Sequence, residues 1–237
     1  LDNGDNTYDW ELVESERGEG TAIHHILLTS QNWRGHVWKH QLSVVVPDQL
    51  QYDGALLFIT GGGIQDDGSP KWNTGRNDET KMFANVASTN RAIVAVLRQI
   101  PNQPLYDGLV EDQLISFTLH QFREDGDFTW PLLFPMTKGA IRAIDAIQEF
   151  STEKLQISVG RFVVSGGSKR GWTTWLTGAS DDRVAAIAPM VIDVLNMPVN
   201  LEYHLAVWND YSEQIQDYVR LEIPQEVHTE KGDQITK

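Results

Sequence analysis

The stretches GALLFITGGG at residues 54–63 and RAIVAVLRQI at 91–100 are short continuous apolar runs, and DETKMFANVAST between them has helical spacing. Strands of that composition are buried on both faces, which requires helices on either side of a mostly parallel sheet. The alternation resumes downstream. TKGAIRAIDAIQEF, 137–150, sets Ile141, Ile144, Ala146, Ile147 and Phe150 on one helical stripe. RFVVS, 161–165, is the next strand, residues 169–178 its helix, and RVAAIAPMVID, 183–193, another buried strand. Strand and helix in this order, joined by right-handed crossovers, give an α/β fold with a doubly wound, mostly parallel sheet.

Ahead of this core, TAIHHILLTSQNW and HVWKHQLSVVVP read as a hairpin pair ended by turn residues and Pro47. Residues 1–20 are polar and acidic without a sustained period and read as an arm, which leaves six strands. Residues 101–136 form a long excursion with four prolines and six aromatic side chains. EDQLISFTLHQF within it is helical, and the rest suits an ordered wall of a pocket, with Trp130 beside Pro131 as the substrate-pocket candidate. A chain of 237 residues supports one large core, so residues 1–237 are expected to form a single domain.

Nineteen Lys and Arg against 33 Asp and Glu give a net charge of -14, which repels nucleic acid and anionic membranes, and neither is expected as a partner. No apolar run reaches the ~18 residues of a membrane-spanning helix. Cysteine is absent, so there are no disulfides and no thiolate metal sites. His36 and His40 are four apart, but they lie in strand and lack the glutamate of HExxH, and His24 and His25 point to opposite faces of a strand. No metal or cofactor is expected. Leu1 in place of Met reads as the mark of a removed leader or a trimmed chain.

The chemistry centres on RFVVSGGSKRGWTTWLTGAS, 161–180, where a strand turns through Gly166 and Gly167 into a helix with Ser168 at the corner. A nucleophile elbow needs such a turn, small neighbours, and the next backbone N–H aimed at the developing oxyanion. The pattern here is GxSKxG, with Arg170 where GxSxG has its second glycine, so the turn alone fits a nucleophile or a structural turn serine equally. Gly61, Gly62 and Gly63, which end the run at 54–63, sit where a second oxyanion donor is needed.

WPLLFPMTKGAIRAIDAIQEF, FVVSGGSKRGWTTWLTGASDDRVAAIAPMVIDVLNM and the earlier TGGG together resemble the PhoPQ-activated pathogenicity-related protein family, from about Val37 to about Tyr218. The resemblance implies an α/β-hydrolase fold, an exported protein (secreted or periplasmic), and a serine-hydrolase-like site. The GxSKxG turn is also similar to the GxSRxG turn of glucuronoyl and related carbohydrate esterases, in which the basic residue helps hold the oxyanion; that role falls on Lys169. On this reading Ser168 attacks the carbonyl of a small-molecule or carbohydrate ester, and the oxyanion is held by Lys169 with Gly62 or Gly63.

After Ser168 only His204 and His228 remain as bases, and neither lies in a strand-end loop of the expected kind. Asp193 is the candidate acid or substrate-orienting group. The resemblance implies two further strands carrying the acid and the histidine, so the chain is expected to lack the last two strands of the sheet, with the missing C-terminal segment a partner, for instance as a second chain. The alternatives are a non-catalytic binding or signalling protein on the same scaffold, and a peptidase of the same fold.

Overall fold

The structure, a computed structural model, describes residues 4–73, 78–230 and 232. Its strands are β1 (Asp9–Arg17), β2 (Thr21–Trp33), β3 (His36–Pro47), β4 (Gly54–Ile59), β5 (Ile93–Leu97), β6 (Arg161–Gly167) and β7 (Val184–Met190). Its longer helices are α1 (Asp78–Asn90), α2 (Glu111–Asp125), α3 (Leu133–Phe150), α4 (Lys169–Ser180) and α5 (Met197–Trp208). Contacts divide the chain into two compact units, Leu1–Asn102 with Pro135–Val191, and Gln103–Phe134 with Ile192–Lys237.

The first unit is built on one sheet of order β1-β2-β3-β5-β4-β6-β7. Pairing is antiparallel from β1 through β3 to β5 and parallel across β5, β4, β6 and β7. The period-2 alternation of the strands sorts the core into two faces. Ile23, Val45, Val94 and Val96 pack with Phe83 and Ala87 of α1 on one face. On the other, Phe150 of α3 meets the rings of Trp10 (6.0 Å) and His24 (5.1 Å), and Gly178 of α4 lies against Ile187. The hairpin expected at 21–33 and 36–47 is present with those bounds.

Two expectations are corrected. The amino-terminal arm contains a seventh strand, β1, in register with β2 through pairs such as Trp10↔Leu28 and Leu12↔Ile26. Its acidic residues, which hide the period, suit an edge strand whose outer side stays in water, and Trp10 Nε1 and Tyr8 Oη anchor it to Glu149 of α3 at 2.7 and 3.0 Å. β7 is a strand as expected but not a buried one. Among the described residues it pairs with β6 alone, and Met190 is 42% exposed.

The second unit holds α2 and α5. α2 ends on Gly126 at φ 72, with the glycine N–H on the Phe122 carbonyl, and is tied down by Ser116 Oγ on Asp217 O (2.9 Å) and Arg123 on Leu221 O (2.9 Å). Tyr218, half-buried with its hydroxyl donating to Asp112 at 2.9 Å, has its phenol pKa pushed well up by desolvation and then by that carboxylate. On α5 only Leu201 is buried, while Val199, Tyr203, Leu205, Val207 and Trp208 are exposed.

His40 sits in the centre of the first unit, fully buried. A carbonyl can only accept, so Nδ1 carries the proton to Arg98 O (3.0 Å), and Nε2 accepts from Ser30 Oγ (2.8 Å). Burial lowers its pKa to about 4, against the hydrogen bonds that favour the charged form. The folded pKa lies below the unfolded value of about 6.5, so the unfolded chain binds more protons as pH falls between them. Stability is therefore expected to drop by about 3 kcal/mol between pH 6.5 and 4 from this group alone. Denaturant unfolding of the intact protein across this range should show a shallower fall in His40→Gln, the residual fall coming from groups such as His24 and His25, whose pKa values burial also lowers, and Asp5 and Asp181, whose carboxyl pKa values their hydrogen bonds lower. Equal slopes in the two proteins refute the assignment.

Candidate functional site

The order of strands reverses at β4: the chain passes from β4 to β5 on one side, then returns to place β6 on the other. In open α/β sheets the crevice at such a switch point, at the carboxyl ends of the strands, is where ligands bind. The last pair of β4 and β6 is Ile59↔Gly166, so the glycines after β4 and the corner after β6 leave the sheet side by side.

Ser168 stands at that corner as the N-cap residue of α4, at φ 55 and ψ -124, and is exposed. A non-glycine residue in this conformation is strained, and the surrounding structure has to hold it there. Ser168 N donates to Met190 O (2.9 Å), and its carbonyl accepts from Trp172 N (3.0 Å). A Cβ at Gly166 would lie 2.8 Å from Arg170 O and 2.9 Å from Arg170 Cβ. The missing Cβ at 166 thus makes room for a side chain at 170, which explains how the corner tolerates arginine where GxSxG has glycine. Arg170 then reaches past the turn, Nε donating to Ile100 O at 2.5 Å.

The other half of the crevice is the run Gly61–Gly63. Gly62 has φ 144, which side chains rarely adopt, and a Cβ there would come within 2.9 Å of Gln99 Nε2. Gly61 O and Gly63 O accept from Gln99 N (3.2 Å) and Lys71 N (2.9 Å), while among the described residues the amides of Gly62 and Gly63 donate to no backbone group. Lys169 opens α4 and is 8% exposed; its amide belongs to the first turn, whose N–H groups point out of the helix end. Ser168, Lys169, Gly62 and Gly63 all belong to the first unit.

Asp193 and Trp130 belong to the second. Asp193 is exposed, three residues past the end of β7. Trp130 donates from Nε1 to Asp125 at 2.8 Å and packs its ring with Tyr106 (5.8 Å) and Phe117 (6.0 Å). Among the described residues no imidazole is hydrogen-bonded to Ser168 Oγ. His24 pairs with Ser15, His40 with Ser30, and His120 with Arg123. His228 faces Glu202 at 3.3 Å, and the ring of His204 lies 5.1 Å from Trp208. Glu16, His25 and Ser43 form a carboxylate–imidazole–hydroxyl line (3.6 and 2.9 Å), but Ser43 is buried in the middle of β3, away from any turn that offers amides. Among the described residues no group of three His, Cys, Asp or Glu is placed to hold a metal ion, and no helix is long and apolar enough to cross a membrane.

Sequence reasoning passed over Gln41 and Gln99, both buried and both bonded to the loop that carries the glycines. An isolated glutamine carries no local signal of such a role.

The sheet order and the strand–turn–helix corner define an α/β-hydrolase fold, and solved esterases are among the structures similar to it. Acetyl xylan esterase 1 from Thermoanaerobacterium sp. superimposes with a TM-score of 0.57 at 15% identity, covering 97% of this chain and 65% of that one. An acetyl xylan esterase from Paenibacillus sp. gives 0.54 at 13% identity, over 96% and 65%. A glucuronoyl esterase from Solibacter usitatus gives 0.51 at 14% identity, over 90% and 61%. The chain belongs to the PhoPQ-activated pathogenicity-related protein family, whose sequence profile matches residues 1–237. It is also 34% identical over 226 residues to autocrine proliferation repressor protein A of Dictyostelium discoideum, covering 90% of this chain and 44% of that protein. The chain thus spans less than half the length of this curated relative.

Gly166→Ala is expected to destabilise the intact protein by about 1–3 kcal/mol, since the added methyl forces the start of α4 off the strand. Gly160→Ala, where a Cβ meets nothing within 4 Å, serves as the control. Equal denaturation midpoints for the two variants contradict the packing described.

Proposed function

We propose that this chain carries the nucleophile of an exported serine esterase that cleaves carboxylic esters, with esters borne by carbohydrate as the substrate class. The observation that carries this is the exposed Ser168, held at φ 55 at the switch point of the sheet, after the strand that pairs with the one leading into Gly61–Gly63. The esterases among the structural relatives share the fold and support the class of reaction.

In the reaction, Ser168 Oγ bonds to the ester carbonyl carbon and gives its proton to a general base. The carbonyl π electrons move onto oxygen, and the oxyanion is held by the amides of Lys169 and of Gly62 or Gly63. Such donors act strongly because they are fixed before charge develops, and losing one typically costs on the order of 10²–10³ in rate. Collapse of the tetrahedral species breaks the carbon–oxygen bond to the alcohol, which leaves with the proton. Water then attacks the acyl-serine in the same geometry and releases the acid. The ammonium of Lys169 adds positive charge near the developing oxyanion.

A second reading is a non-catalytic binding or signalling protein on the same scaffold. It draws support from the name of the Dictyostelium relative, a repressor of proliferation, at 34% identity.

The two readings separate in one experiment. The intact protein is incubated with a fluorophosphonate probe and, in parallel, assayed on p-nitrophenyl acetate and acetylated xylan. The esterase reading expects covalent labelling at Ser168 and a loss of turnover on the order of 10⁴-fold or more in Ser168→Ala. No labelling, or labelling and turnover that survive the substitution, favours the second reading.

A further inference from the structure

The amides assigned to the oxyanion sit on a surface loop, and a loop is a poor place for dipoles that must not move. What holds this one is buried. The chain leaves β4 at Ile59, passes Gly61–Gly63, forms a lobe closed by Lys71 N on Gly63 O (2.9 Å) and Gln65 N on Ser69 O (2.8 Å), and returns at Asn73. The returning side of the lobe is fastened by two glutamines, Gln41 of β3 and Gln99 just past β5.

Gln99 lies two residues past β5, fully buried and at φ 57. Its backbone N–H donates to Gly61 O at 3.2 Å. Its side chain accepts from Gln41 N at 2.8 Å and donates from Nε2 to Lys71 O at 3.2 Å. The same amide lies flush against Gly62, 2.9 Å from where a Cβ would stand. Gln41 completes the clamp. Its Oε1 accepts from Asn73 N at 2.7 Å and its Nε2 donates to Asn73 O at 2.9 Å. One residue thus touches the glycine run from below, bonds it on the near side through Gly61, and bonds the returning strand of the lobe on the far side through Lys71.

We infer that Gln99 is the positioning residue of the oxyanion loop, acting through Gly61–Gly63 and Lys71 with Gln41 as its support, and that it sets the orientation of the Gly62 and Gly63 amides. The inference rests on the esterase reading above. Gln99 touches neither substrate nor reacting atoms; its effect runs through the backbone. An amide is needed at this position. Its oxygen faces a donor, Gln41 N, and its nitrogen faces an acceptor, Lys71 O, so a carboxylate of the same shape satisfies the first and opposes the second.

The test is Gln99→Glu in the intact protein, with Gln99→Met as a second variant of similar length that cannot donate. Wild type and both variants are compared for kcat and KM on p-nitrophenyl acetate between pH 5 and 8, and for backbone hydrogen exchange over residues 60–73. A misplacement of the order of 1 Å costs roughly 10²-fold in rate, so kcat at pH 7.5 is expected to fall by about that factor in both, with KM within a few-fold of wild type. Exchange in 60–73 should accelerate. A buried carboxyl has its pKa raised, so Gln99→Glu should recover kcat relative to wild type as the pH falls and the protonated acid again donates to Lys71 O, whereas Gln99→Met should not. A merely structural role does not predict that split.

A wild-type kcat in both variants, or loss without pH recovery in Gln99→Glu while its denaturation midpoint matches wild type, overturns the inference and leaves the esterase reading intact. If Gln99→Glu does not fold, accelerated exchange and reduced kcat at unchanged KM in Gln99→Met uphold the clamp, and their absence refutes it. A wild-type protein that hydrolyses nothing and is not labelled at Ser168 removes the esterase reading, and the inference with it.

Discussion

Between Gly166 and the carbonyl of Arg170 there is no room for a side chain, because a Cβ at 166 would stand 2.8 Å from that oxygen. The contact lets α4 begin directly on the end of β6 instead of after a connecting loop. A helix that starts so abruptly leaves its cap residue in a conformation most side chains avoid, and Ser168 occupies it at φ 55. The strain is opposed by bonds on both sides of the corner: Ser168 N to Met190 O, Ser168 O from Trp172 N, and Ser165 Oγ to Ala188 O at 2.7 Å. The outcome is a hydroxyl presented outward from a backbone that cannot relax, which is what nucleophilic chemistry on this fold requires.

The two halves of the crevice are fixed in different ways. The serine half is fixed by packing, glycine against helix start. The glycine half is fixed by buried polar bonds, where Gln41 and Gln99 satisfy each other and the loop above them. Buried amides that are fully paired rigidify their surroundings, and the same groups are costly when one partner is lost. Arg170 connects the two systems, since Ile100, whose carbonyl it binds, also donates its N–H to Thr60 O at 3.2 Å. The start of α4 and the start of the glycine run are thus referred to one short stretch of chain after β5.

Much of this was legible in the sequence wherever the signal was local. The hairpin of β2 and β3 has a period of two and ends at turn residues, and its bounds follow from those alone. β4 and β5 read as buried strands because their runs are apolar throughout, and the corner at Ser168 is written in two glycines after β-branched residues. β1 was hidden because charges occupy the outer side of an edge strand, so its pattern is set by water rather than by a core. β7 is an apolar run of the same kind as β4 and β5, and it is partly exposed among the described residues, where β6 is its partner. Gln99 was invisible because its partner Gln41 lies 58 residues away and the pairing exists only once β3 and β5 are in register.

Ser168 N donates to the carbonyl of Met190, the last residue of β7, so the corner is held from the strand beside its own as well as from within. β6 and β7 stay paired up to Gly167↔Met190, at the very foot of the turn. A slip in register between these two strands would therefore disturb the backbone that keeps residue 168 at φ 55, even with Gly166 and Arg170 untouched.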